Sequence, residues 1–328
     1  MKSAESGMRA VTIHNGTIHV VTDHPVPHRP AGWLTLRVLQ AGICGTDLQI
    51  RKGYQDFEGI PGHEFVGRIE EADNPELPGR RVVGEINVGC GSCRFCRNGL
   101  GRHCLQRKVL GLNGLDGCMA DYCVLPQQNV ISVPDWLTDD QAVLTEPLAA
   151  ACEIFEQIKF GGNETVAVLG DGRLGILCAW TLSTRMQSVT LLGKHDSKLK
   201  IGAWNEIQTC RENCLASGTE FDVVVEATGS EGGIMTAMEL CRARGTIVLK
   251  STLAESAHLN LSQAVVREQT IIGSRCGRLR DALALLNVHR DMPLSRLISH
   301  HFALEQASRA FAVAEEPESL KIILTLTS

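Results

Sequence analysis

Four cysteines at positions 90, 93, 96 and 104, spaced C-x2-C-x2-C-x7-C, constrain this chain more than any other feature. Zinc takes four thiolates at tetrahedral corners, and an x2 spacing lets a tight turn aim two sulfurs at one ion. Gly89, Gly91 and Gly99 supply the backbone freedom such a knuckle needs. A set closed by four Cys leaves no open position, so Cys90, Cys93, Cys96 and Cys104 read as a structural zinc lobe over about residues 89–105. Buried free thiols would meet this spacing only by chance, and ferredoxin-type iron–sulfur runs are spaced differently. Arg94, Arg97, Arg102, Arg107 and Lys108 surround the cluster, but no recognition-helix pattern follows it.

The whole chain has thirteen cysteines, an odd number, which excludes a fully paired secreted framework. A reducing cytoplasm is the expected setting. The net charge of −5 argues against nucleic acid or an anionic membrane as partner, and 4% aromatic residues leave little for stacking on single strands. No apolar run approaches the roughly 18–20 residues of a membrane span. The first residues, MKSAESGMRAVTIHNG, lack the apolar stretch of a signal peptide.

A length of 328 residues predicts two domains, and 44% apolar with 21% charged residues predicts real cores. Two textures alternate. Short β-type runs at Val11–His14, Leu34–Leu39, Phe65–Glu70, Arg81–Ile86 and Ala120–Val124 are punctuated by Gly, Pro and Asn. From about 150 to 280, strands alternate with helices: Thr165–Leu169, helical Leu174–Thr184, Val189–Leu192, Phe221–Glu226 and Thr246–Lys250. That alternation implies right-handed βαβ units and a parallel sheet. The tail adds a helical Leu304–Ala314 and an apolar strand Lys321–Leu326, and the polar Met1–Gly7 is expected to fray.

Upstream of the lobe, Cys44-Gly-Thr46-Asp47 and Gly62-His63-Glu64 offer a thiol, an imidazole and a carboxylate, and Glu146-Pro-Leu148 offers a second carboxylate. Such a three-ligand set leaves a fourth position open for water or substrate.

CGTD, GHE and the four-Cys lobe, in this order, resemble the zinc-dependent medium-chain alcohol dehydrogenase family, polyol- and threonine-dehydrogenase-like members in particular, from about Arg9 to the C-terminus. The resemblance implies an α/β chain: a GroES-like β-rich catalytic domain (1–148 and 280–328) and an inserted Rossmann domain with a doubly wound parallel sheet (149–279). The active site would lie in the cleft between them. It also implies catalytic zinc on Cys44 and His63, with Glu146 ranked ahead of Glu64 as third ligand and Glu64 able to swap in. Thr46 would bond the substrate oxygen and begin proton release. Many members carry His three residues later; this chain has Gln49, which cannot titrate near neutral pH. Further implications are two zinc ions per chain, a small alcohol or carbonyl substrate, and a homodimer or homotetramer. A catalytically silent nucleotide-binding protein on the same fold is the alternative.

Strand Thr165–Leu169 leads into Gly170-Asp-Gly172-Arg173-Leu174-Gly175 and then a helix, the context in which G-x-G-x-x-G marks a dinucleotide loop. The second strand ends in Gly193-Lys194-His195, with Gly where NAD-preferring members carry Asp. Gly193 would leave room for a 2′-phosphate that Lys194 and His195 could neutralise, so NADP is expected over NAD. Glu226-Ala-Thr228-Gly229 resembles the family turn beside the riboses, and Gly273-Ser-Arg275-Cys-Gly277 the segment that returns near the nicotinamide.

Overall fold

The computed structural model describes residues 7–252 and 259–326, so most of the Met1–Gly7 segment lies outside the described residues. The chain divides into two compact units, one of Met1–Glu146 with Ile298–Ser328, the other of Pro147–Leu297.

The first unit is built on an antiparallel-rich sheet. Its strands run in the order Val130–Ser132, Arg81–Gly84, Glu64–Glu71, Trp33–Ile43, Lys321–Thr325, Ile298–Ala303, and Tyr122–Pro126 also pairs with Trp33–Ile43. Two of these pairings matter for chemistry. Gly42 lies opposite Glu64 on one side, while Ile43 lies opposite Ile322 on the other. A strand from the far end of the chain is thereby placed one strand away from the GHE segment, across Trp33–Ile43.

The second unit is an all-parallel sheet in the order Gln208–Arg211, Ser188–Gly193, Thr165–Leu169, Phe221–Glu226, Cys241–Leu249, Thr270–Gly273. The central strands read as unbroken apolar runs because both faces are covered: Val166 to Leu169 and Val223 to Val225 are all buried. Helix Arg173–Ser183 packs with Ile176 to Leu182 fully enclosed, and Trp180 donates Nε1–H to the Gly202 carbonyl at 2.9 Å. The strand order reverses between Thr165–Leu169 and Phe221–Glu226, the switch point at which open α/β sheets bind ligands.

The α/β class and both textures hold. The chain rejoins the first unit at Ile298 rather than at 280, because helix Leu279–Val288 buries Leu279, Ala282 and Leu286 within the second unit. An amphipathic helix shows which of its faces is buried, not which sheet covers that face. Among the described residues, no helix is long and apolar enough to cross a membrane.

Candidate active site and cofactor loop

Cys44 stands at the N-cap of helix Gly45–Arg51, and Asp47 three residues on accepts its backbone N–H at 2.7 Å. The other Asp47 oxygen lies 3.5 Å from Nδ1 of His63. Both residues are buried, Asp47 completely. At that distance the carboxylate faces Nδ1 as a buried counter-charge without a hydrogen bond to it among the described residues, and Nε2 is the nitrogen turned away from Asp47. Burial works against charge on His63, but Asp47 and the Cys44 sulfur outweigh it and raise its pKa well above the usual histidine value.

Glu64 begins the next strand at 1% exposure. Its Oε2 is paired with Nζ of Lys321, itself fully buried, and the ammonium also donates to the Ile43 carbonyl at 3.2 Å. Gly42 makes room for this pair: a Cβ there would fall 2.5 Å from Glu64 Oε2 and 3.4 Å from the Lys321 stem. Among the described residues, Glu64 Oε1 has no hydrogen-bond partner. Ligand atoms of Cys44, His63 and Glu64 lie within 4.8 Å of one another, and Thr46 Oγ1 is 3.8 Å from Cys44 Sγ. A thiol, an imidazole and an orphaned carboxylate oxygen so close together fit a divalent zinc ion. Glu146 is outside that group of atoms. Burial pushes its carboxyl up to about 7, with Glu64 adding to the rise and His63 and Lys321 opposing it.

The four-Cys lobe is folded by glycine turns at Gly91 (φ +77°) and Gly99 (φ +73°) around the short helix Arg94–Arg97. A tetrahedron of Zn–S bonds of about 2.3 Å separates its sulfurs by about 3.8 Å. Here Cys93 and Cys96 Sγ are 3.6 Å apart, and all four sulfurs fall within 4.8 Å of one another. Hydrogen bonds from Ser92 and the Cys93 backbone hold the Cys90 thiol down at about 6, while burial lifts Cys96 to about 11.

In the second unit, Gly170 adopts φ +116°, and a Cβ there would meet the Ala227 carbonyl at 2.7 Å. Gly175 sits against Gly170 O, where a Cβ would be 1.9 Å away, whereas nothing stands within 4 Å of one on Gly172. The turn and the close packing therefore require glycine, and the open side at Gly172 suits a pyrophosphate over the start of the helix that begins at Arg173. Arg173 and Leu174 are half-buried in that first turn. Thr228 is fixed by Glu226, whose Oε1 accepts both its N–H and its hydroxyl at 2.7 Å.

At the end of the second strand, Gly193, Lys194 and His195 gather around a side chain of the glycine loop. The space beside Gly193 is filled by Asp171: a Cβ on Gly193 would fall 2.5 Å from its side chain. Asp171 Oδ2 accepts the backbone N–H of Lys194 and of His195, each at 2.7 Å, and the His195 ring lies 3.0 Å away. Gly193 therefore makes room for the Asp171 carboxylate of this chain.

Residues 30–135 match the alcohol dehydrogenase GroES-like domain, and residues 139–326 match the glucose dehydrogenase C-terminus. The chain belongs to the zinc-dependent medium-chain alcohol dehydrogenase family. Members are NAD(P)-dependent oxidoreductases of alcohols, and this chain is one of that enzyme class. Sorbitol dehydrogenase of Halalkalibacterium halodurans is 26% identical, over 96% of this chain and 98% of its own. An Escherichia coli CFT073 alcohol dehydrogenase complexed with NADH superposes with a TM-score of 0.88 at 24% identity, covering 98% of this chain and 100% of that one. A protein of Sinorhizobium meliloti 1021 assigned as a zinc-binding dehydrogenase, bound to NADP, gives 0.86 at 25%, covering 97% and 99%.

For a medium-chain alcohol dehydrogenase, then, the structure draws Cys44, His63, Glu64 and Thr46 together and assembles the lobe. Sequence reasoning passed over Asp47, Lys321 and Asp171. Asp47 had a signal, its place three residues into a helix after an N-cap, and so did Lys321, a lysine opening an apolar strand. Asp171 had none beyond lying inside the glycine loop.

Proposed function

We propose that this chain interconverts an alcohol and its aldehyde or ketone by hydride exchange with a nicotinamide dinucleotide, in a zinc-dependent reaction. The observation that carries the reading is the convergence of Cys44, His63 and Glu64 ligand atoms within 4.8 Å, with the Thr46 hydroxyl 3.8 Å from the thiol. Glu64 is favoured as the carboxylate of the set, with Glu146 as the one that swaps in. This reverses the order expected from sequence, because Glu64 has an unpartnered oxygen among those atoms. Cys90, Cys93, Cys96 and Cys104 would hold a second, structural zinc.

Bound zinc supplies Lewis acidity, which brings an alcohol's ionisation near neutral pH and polarises a carbonyl in reverse. Thr46 Oγ1 would accept a hydrogen bond from the substrate hydroxyl and relay its proton by giving up its own hydroxyl proton as it takes the substrate's. Gln49 cannot titrate, so the proton leaves Thr46 by a path other than position 49. Asp47 holds the His63 ring in place. Gly170, Gly172, Arg173, Leu174 and Gly175 would seat the pyrophosphate, and Thr228 would face the ribose side of the switch point. Sorbitol, a polyol, is the substrate named for one relative, and a polyol or simple secondary alcohol is the first class to try. The enzyme would work in the reducing cytoplasm, where thiolate sites persist. A homodimer or homotetramer is supported by exposed apolar residues, Val265 and Val266 on helix Ser262–Val266 and Ile271 in the edge strand Thr270–Gly273.

The test is a panel of alcohols, polyols, aldehydes and ketones with NAD(H) and NADP(H) on zinc-loaded protein. Turnover of at least one pair, lost on chelation and regained with zinc, is expected. Intact NADH binding without turnover on any member would overturn the reading in favour of a silent nucleotide-binding protein.

A further inference from the structure

Asp171 is the second residue of the Gly170–Gly175 loop, yet its carboxylate ends at the tip of the neighbouring strand Ser188–Gly193. That strand tip is the place where dinucleotide-binding sheets put the acid that accepts a hydrogen bond from the adenosine ribose 2′-OH. We infer that Asp171 is the specificity-determining residue of this enzyme and selects NAD(H) over NADP(H), an inference that rests on the dehydrogenase reading above.

Three features of the corner carry it. The backbone N–H groups of Lys194 and His195, the donors a 2′-phosphate would use, are already given to Asp171 Oδ2. The His195 ring is drawn to the same carboxylate, 3.0 Å from Oδ2 and 3.1 Å from Oδ1. Among the described residues Oδ1 meets the His195 ring alone and keeps lone-pair capacity for a ribose hydroxyl. A phosphate in the same corner would face a carboxylate with no backbone donor to offset it. The Lys194 side chain is exposed to water, where an ion pair contributes little. Position 193 must then be glycine: an acid on the strand and Asp171 on the loop exclude each other sterically, with 2.5 Å between a Cβ at 193 and Asp171. The corner keeps its acid but takes it from the loop.

The measurement is equilibrium binding of NADH and NADPH by nucleotide fluorescence, alongside kcat/KM with each, for wild type and Asp171→Asn. Wild type is expected to bind NADH more tightly by at least about tenfold, the worth of one charge-assisted hydrogen bond. Asp171→Asn should weaken NADH and strengthen NADPH, so that the ratio of dissociation constants falls about tenfold or more. A role confined to holding the loop would weaken both cofactors by the same factor, and that result overturns the inference. So does a wild type that binds NADPH as tightly as NADH. Should Asp171→Asn fail to fold, competition by ADP-ribose against 2′-phospho-ADP-ribose on wild type decides it, with ADP-ribose expected to win. Binding of none of these nucleotides would overturn the dehydrogenase reading itself; binding with NADPH preferred overturns only the role of Asp171.

Discussion

Cys90, Cys93, Cys96 and Cys104 bring four identical donors from one loop, whereas Cys44, His63 and Glu64 bring three different donors from a helix start and a strand start. The lobe relies on glycine turns and stays near the surface, with Cys90 exposed. The mixed set has His63 and Glu64 buried with Cys44 half-buried, and comes with buried counter-groups: Asp47 beside His63, and Lys321 behind Glu64. The contrast separates two ways of building a candidate metal site. A closed set of like ligands needs only a loop that brings them together, and its metal supplies folding free energy. An open set must leave a position vacant, so the protein has to hold each ligand from behind.

The comparison breaks most readily at the lobe. Cys96→Ser should lose one of two zincs per chain and of order 5 kcal/mol of stability, since the metal's binding energy is folding energy there. Metal content by mass spectrometry and urea denaturation check it; two zincs with wild-type stability would dissolve the lobe. At the other site, His63→Ala should cut turnover about a thousandfold, near 4 kcal/mol of barrier, while NADH binding stays within about twofold. A variant that keeps a few per cent of the rate would remove His63 from the metal.

How far each site could be read from sequence follows from the same contrast. The lobe lies within fifteen consecutive positions, 90 to 104, so its chemistry is visible as spacing alone. The dinucleotide loop is equally local, and Gly170 and Gly175 are glycines for the reasons the motif gives. The mixed set was legible only in its ligands. Lys321 reaches Glu64 because strand Lys321–Thr325 pairs with Trp33–Ile43, a pairing between chain segments far apart in sequence. The Asp171 carboxylate against Gly193 is likewise a contact between a loop and a neighbouring strand. A pattern read along the sequence cannot reveal that a glycine is small because another residue's side chain occupies its place. The helix Leu279–Val288 escaped for a related reason: its apolar stripe fits either sheet.

Lys321→Met sharpens the contrast through the counter-groups. It leaves the Glu64 carboxylate buried without its cation, which should cost about 3 kcal/mol or more in denaturant unfolding. Adding Glu64→Leu should recover most of that loss, because a buried ion pair replaced by apolar groups is often nearly neutral. An Arg replaced anywhere on the exposed rim of the lobe should change stability by well under about 1 kcal/mol. Equal effects at the two sites would mean that Lys321 does not hold Glu64 in place.

Gly42→Ala is the smallest change and probes the same pair from the backbone. Gly42 is in an ordinary extended strand opposite Glu64, so alanine meets no conformational barrier there. What it meets is Glu64 Oε2 at 2.5 Å and the Lys321 stem at 3.4 Å. The carboxylate tip would ordinarily swing aside at little cost, but it is buried and swinging aside would break its pairing with Lys321. Overpacking of this kind costs about 1–3 kcal/mol. The loss should vanish in a Glu64→Ala background, where the obstructing atom is gone, and urea denaturation of the four proteins measures that coupling directly. A loss that persists without the Glu64 side chain would place the tightness in the sheet and not in the ion pair. A vanishing loss would show that a glycine in the central strand is kept small by the group that holds a candidate metal ligand.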